Sequence, residues 1–185
     1  MLQTRGKVYG WMKKNNKGMS LVEIIIVIAI VGILAVASFS MAGNIKYANT
    51  QKTVESIEDK LDNLQITTMS KATKQYLYIY RVGGSYYAKV SSTATSNRND
   101  ALFDDQGTKL SNSALTISYK PHVGDSKVLV GSDNFIRICY NRAGAFYYPG
   151  SGSTTLGTNC DKIYVNGSRE YVITLVEETG KHYVE

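Results

Sequence analysis

Residues 24–37 read Ile-Ile-Ile-Val-Ile-Ala-Ile-Val-Gly-Ile-Leu-Ala-Val-Ala without one polar side chain, and across residues 19–41 the single charge is Glu23. About 20 apolar residues suffice to cross hydrocarbon as a helix, so the pattern predicts a membrane-spanning helix over 19–42. Beyond Gly43 the pattern changes. Ile45, Ala48, Val54, Ile57, Leu61, Leu64 and Ala72 recur at spacings near three and four, while Lys46, Lys52, Glu55, Asp59, Lys60 and Asp62 fill much of the remainder. No proline interrupts residues 19–120. The spacing therefore predicts one continuous helix from Ser20 to Gln75, amphipathic in its second half.

From Tyr76 the period shortens. Tyr76-Leu-Tyr-Ile-Tyr80 and Tyr86-Tyr-Ala-Lys-Val90 are aromatic and β-branched around Gly83-Gly84, which predicts two strands. Further strands are expected over 114–120, 127–130, 135–141, 145–148, 162–165, 171–176 and 181–184. Asn166-Gly167 signals a type I′ hairpin turn, because both residues tolerate positive φ. Arg142-Ala-Gly144 and Glu178-Thr-Gly180 signal two more turns. Residues 91–106, rich in Ser, Thr, Asn and Asp, read as a surface loop, as does the stretch over 148–159. The fold class expected is α+β, a long N-terminal helix packed against a C-terminal antiparallel sheet.

Charge refines this reading. The formal net charge is +6, yet residues 1–18 hold Arg5, Lys7, Lys13, Lys14 and Lys17 and no acid, which leaves 16 basic against 15 acidic residues in the remainder. Such a cluster beside an apolar segment is a topology signal that stays in the cytoplasm. It does not describe a nucleic-acid surface, and DNA is not indicated as a partner. Cys139 and Cys160, the only cysteines, both fall in the part expected to be exported, where a disulfide is permitted. A Cys139–Cys160 bond would stabilise by roughly 3 kcal/mol on the chain-entropy argument, and the alternative is two buried free thiols. No Cys-x-x-Cys and no histidine cluster point to a metal or cofactor, and His122 and His182 stand alone. Enzyme signatures are missing as well. There is no Gly-x-Ser-x-Gly and no phosphate-binding glycine loop, and Asp104-Asp105 and Glu177-Glu178 are adjacent pairs whose members would point apart on a strand. The expectation is a protein without catalysis, whose fourteen tyrosines are mostly half-buried strand residues.

Gly18-Met19-Ser20-Leu21-Val22-Glu23 resembles the cleavage and methylation site of the type IV pilins and pseudopilins, whose usual pattern is Gly-Phe-Thr-Leu-Ile-Glu. Met19 stands where phenylalanine is usual, and Ser40 where many major pilins have a helix-kinking proline. The resemblance implies cleavage after Gly18 by a prepilin peptidase, N-methylation of Met19, and a role for Glu23 in assembly through pairing with the terminal amine of a neighbouring subunit. It implies four segments: a cleaved leader over 1–18, a transmembrane and filament-core helix over 19–42, an amphipathic continuation over 43–82, and a sheet domain over 83–185. The partners implied are other pilin or pseudopilin subunits in a helical filament, the prepilin peptidase, an inner-membrane assembly platform, and membrane lipid before assembly. The localisation implied is a single pass of the cytoplasmic membrane, leader inside and sheet domain outside, followed by an extracellular or periplasmic filament. Phe135-Ile-Arg-Ile-Cys139, Lys162-Ile-Tyr-Val165 and Tyr171-Val-Ile-Thr-Leu175 with Thr179-Gly180-Lys181 are similar to the closing strands of H-type minor pseudopilins. With Ser40, that likeness favours a minor pilin or pseudopilin over a major pilin.

One reading from a different class remains. Residues 24–36 can serve as the hydrophobic stretch of an ordinary signal sequence, with Ala35-Val-Ala37 as its cleavage site. The mature chain would then be a secreted or anchored binding protein beginning near Ser38.

Overall fold

The structure, a computed structural model, describes residues 20–71, 73–104, 107–111, 114–122, 124–149 and 155–185, without the side chains of residues 37–42 and 44. One helix, α1, spans Leu21–Ser70. Among the described residues nine strands follow: β1 (Tyr76–Val82), β2 (Ser85–Ser91), β3 (Thr108–Ser111), β4 (Thr116–Lys120), β5 (Val128–Leu129), β6 (Phe135–Cys139), β7 (Lys162–Asn166), β8 (Glu170–Leu175) and β9 (His182–Val184). The fold is α+β. The helix stops five residues short of the expected Gln75, so the segment expected over 43–82 divides into helix and strand. Thr67, Thr68 and Ser70 crowd this end, and the Ser70 hydroxyl donates to the Thr67 carbonyl at 3.1 Å. Such residues offer the backbone local bonds that compete with the helix.

The chain divides into two compact units, Met1–Met41 and Ala42–Glu185. In the first, residues 20–36 are helical from Leu21 onward and every described side chain is exposed.

In the second unit, α1 contributes a buried line of Val54, Ile57, Leu61 and Leu64, each at most 3% exposed. Ile45, expected on this line, is exposed, while Thr50, Thr53 and Thr68 extend it. The threonines are tolerated because a helix can absorb a hydroxyl internally. Thr50 Oγ1 donates to the Lys46 carbonyl and Thr53 Oγ1 to that of Asn49, each at 2.8 Å. Two antiparallel sheets replace the single expected one, ordered β3-β2-β1-β6 and β5-β4-β7-β8-β9. Leu77 and Ile79 of β1, Ile136 and Ile138 of β6, Ile117, Ile163, Val165 and Ile173 join the helix line in one core. The expected strand over 145–148 reduces to a single bridge between Tyr140 and Phe146, and β3 arises where no strand was expected.

The four-stranded sheet is buried on both faces. Its outer face carries Tyr76, Tyr78, Tyr80, Tyr87, Phe135 and Cys139, covered by Phe103. Residues 91–106 are therefore not simply a surface loop, because bare aromatic surface must be covered. Tyr78 Oη donates to the Thr93 carbonyl at 2.9 Å and accepts from the Thr95 N–H at 3.0 Å. The stretch over 148–159 is likewise tied down at its end, where Thr158 Oγ1 bonds both backbone groups of Cys139 at 3.1 and 3.0 Å. Tyr78, Tyr80, Tyr86 and Tyr140 are wholly buried, deeper than the half-burial expected of them.

The turns answer to different needs. Gly83 and Gly84 both have positive φ, 56° and 82°, and join Val82 to Ser85 in the two-residue turn that this backbone allows. Asn166-Gly167, by contrast, is not a type I′ turn: β7 and β8 pair at Asn166 and Glu170 across a three-residue connection, and neither residue has positive φ. Gly167 answers to space instead, since a Cβ there would collide with Thr50 Oγ1 on the helix.

Candidate assembly segment

The residues expected to carry function sit around the start of α1. Ser20 is the first described residue, and its carbonyl accepts from the N–H of Glu23 at 2.9 Å and of Ile24 at 3.2 Å. The Glu23 carboxylate reaches back, and the Ser20 N–H donates to its Oε2 at 3.4 Å. A carboxylate three residues past a serine cap is one half of a capping box, in which it satisfies a backbone donor the helix cannot. Glu23 thus has a local role in starting the helix that the sequence reading missed, although Ser-x-x-Glu at residues 20–23 was its visible signal. The acid also lies in the first turn, where the helix dipole favours it. Gly18 and Met19, expected at the scissile bond and the methylated terminus, lie outside the described residues, as does the rest of the expected leader.

Downstream of Glu23, Leu21, Val22, Ile24, Ile25, Val31, Ile33 and their neighbours to Val36 present their side chains to solvent, Ile33 at 72% and Val36 at 74% exposure. Contiguous apolar surface of this extent marks a site of association or membrane contact. Among the described residues no helix is long and apolar enough to cross a membrane. Residue 19 and the side chains of 37–42, which would complete the expected span, lie outside the description.

The expected disulfide is absent. Cys139 and Cys160 are free, buried thiols. Strand alternation sends them into different clusters: Cys139 leaves β6 on the tyrosine face with Phe135 and Arg137, whereas Cys160 joins the helix-facing core. Burial pushes both thiols up from their ordinary range, at Cys139 against the lowering influence of Lys74 and Thr158, at Cys160 with Asp161 adding to the rise. Arg137, which the sequence reading passed over as a strand residue, is 8% exposed and organises the adjoining loops. Its Nε donates to the Gly157 carbonyl at 2.7 Å and its Nη1 to the Thr95 carbonyl at 2.8 Å.

Among the described residues no group of three or more histidine, cysteine or carboxylate side chains could hold a metal. His182 Nε2 lies 3.7 Å from Asp62, and His122 Nδ1 lies 3.7 Å from Asp161. The candidate site is therefore a surface, an apolar helix with one acid in its first turn. Residues 13–39 match the family model of the prokaryotic N-terminal methylation motif. The chain thus carries a prepilin-like motif of the kind found in type IV pilins and pseudopilins, and Glu23 and the exposed apolar run both fall within it. No curated protein and no solved structure matches the chain.

Proposed function

We propose that the chain is a non-catalytic structural subunit, a minor pilin or pseudopilin, of a type IV pilus-like filament. The observation that carries this reading is the apolar surface over 21–36, interrupted only by Glu23 and enclosed by the methylation motif. The leader over 1–18 keeps its five cations in the cytoplasm while the second unit is exported. Prepilin peptidase cuts after Gly18 and methylates Met19. The new amine then lies about one helical turn from Glu23, close enough to neutralise it while the subunit waits in the membrane. In the filament, Glu23 exchanges this partner for the amine of a neighbouring subunit. A desolvated pair of this kind sets register more than it adds affinity, and an unpaired carboxylate there is strongly disfavoured. The minor or pseudopilin assignment rests on Ser40 and the closing strands, and copy number relative to other filament subunits tests it.

Mass spectrometry of the N-terminal peptide, from protein purified out of native membranes, tests the whole reading. An N-methylated Met19 start is expected. A start near Ser38 would replace it with a secreted domain and remove the roles of Gly18, Met19 and Glu23 together.

A further inference from the structure

Two grooves flank the same stretch of α1 in the second unit, and they differ in charge. One, of about 280 Å³, is lined by Lys46, Lys52 and Lys109 with Thr53, Leu110 and Leu115, and no acid lines it. The other, of about 300 Å³, is lined by Tyr47, Gln51, Glu55 and Glu58 with Arg169 and Tyr171. Helix geometry separates them: each residue advances about 100°, so 46 and 49 fall to one side of the buried line and 47, 51, 55 and 58 to the other. Among the described residues Lys46, Lys52, Lys109, Glu55 and Glu58 make no ion pair. The acidic groove also holds the Arg169 guanidinium, 4.6 Å from the centre of the Tyr171 ring, so its two carboxylates outnumber its one cation. Glu55 accepts from Gln51 Nε2 at 2.9 Å, and with no ion pair formed by these charges among the described residues the lysine groove and the acidic flank are complementary to each other between copies.

We propose that the lysine groove of one copy receives the Glu55–Glu58 flank of a second copy, an inference that rests on the filament reading above. The contact joins two different patches of the same chain. Such a heterologous contact propagates as an open helical array when its rotation does not close, which is the symmetry a filament requires. Charge complementarity fixes the register of that contact, and like charges brought face to face would block it. At least two copies of the chain must then be neighbours in the filament.

The test uses the full-length chain in its native cells. Ala114→Cys lies in the lysine groove and Gln51→Cys in the acidic one, and neither removes a charge. Oxidation of sheared filaments carrying both substitutions should give a ladder of dimers and larger products, absent without the two new cysteines. Adding Lys52→Glu with Lys109→Glu should cut the ladder by about tenfold, as should Glu55→Lys with Glu58→Lys, and combining all four should restore it. A ladder indifferent to both reversals overturns the proposal. So does an effect of the lysine reversal alone without rescue, which would assign the groove to another occupant, a different subunit or an anionic lipid. Failure of the filament reading appears separately, as the lack of a Met19 start in the unsubstituted protein.

Discussion

At the scale of single residues, Glu23 has one role in the structure, at the helix start, and a second in the proposed filament, and substitution can separate them. Glu23→Gln keeps an oxygen that can accept from the Ser20 N–H, so the helix start survives, but it removes the charge that the proposed pairing with a neighbour's amine requires. The variant is expected to be cleaved and methylated normally yet missing from sheared filaments, and N-terminal mass spectrometry with immunoblotting of the filament fraction reads both. Gly18→Ala should block cleavage altogether, leaving only the uncut species in the same spectra. Gly167 invites a different test, because its value lies in absent volume. Gly167→Ala should cost about 1–3 kcal/mol through overpacking against Thr50, and Thr50→Ala in the same chain should return part of it. Denaturant unfolding of the four combinations measures the coupling, and simple additivity would show that the two residues do not collide.

At the scale of elements, the helix line and most strands were legible because their periods are expressed in large side chains. Val54, Ile57, Leu61 and Leu64 can hardly be read otherwise, and Leu61→Ala should lower stability by about 2–5 kcal/mol in denaturant unfolding. What escaped was anything decided by a partner distant in sequence. Thr50 and Thr53 look polar until their hydroxyls are seen bonded within the helix. Residues 91–106 look like solvent-facing loop until Phe103 is placed over the tyrosine face, and Arg137 looks like an outward strand cation until its guanidinium meets two loop carbonyls. The cysteines failed for the same reason, since their separation depends on which face of β6 turns toward α1. At the candidate site, Glu23 and the apolar run were plain in the sequence, whereas the two charged grooves were not, because Lys109 and Tyr171 reach the helix only through the sheets. Burial also sets an expectation for pH. Tyr140, Tyr148 and Cys160 are all pushed up, chiefly by desolvation, so the folded chain holds these protons where the unfolded chain, with ordinary values of 10.0 and 9.0, releases them. The stability they supply is complete below the unfolded values and declines as pH rises through and beyond them. The denaturation midpoint should therefore fall between about pH 8 and about pH 10, and maleimide should label both thiols without reductant only once the chain unfolds.

At the scale of the whole molecule, the two units divide the work. Among the described residues no core side chain precedes Thr50, and the apolar run over 21–36 buries nothing within its own chain. The second unit closes its own core from α1 and both sheets, and Gln65 ties the turns at Gly144 and Gly180 to the helix, its Nε2 donating to the Gly144 carbonyl at 2.7 Å. Its stability should therefore not depend on the first. A chain beginning at Ala42 is expected to unfold cooperatively, with the same denaturant midpoint as the full-length protein held in detergent, and to stay monomeric in sedimentation. The full-length protein, stripped of detergent, should associate through its exposed apolar helix. A truncated chain that is molten, or that still forms filaments, would show that the division is drawn in the wrong place: in the first case the core needs the upstream helix, in the second assembly does not. The expected pairing of a stable folded monomer with complete loss of assembly is what a subunit needs if it is to be stored without aggregating and polymerised only on demand.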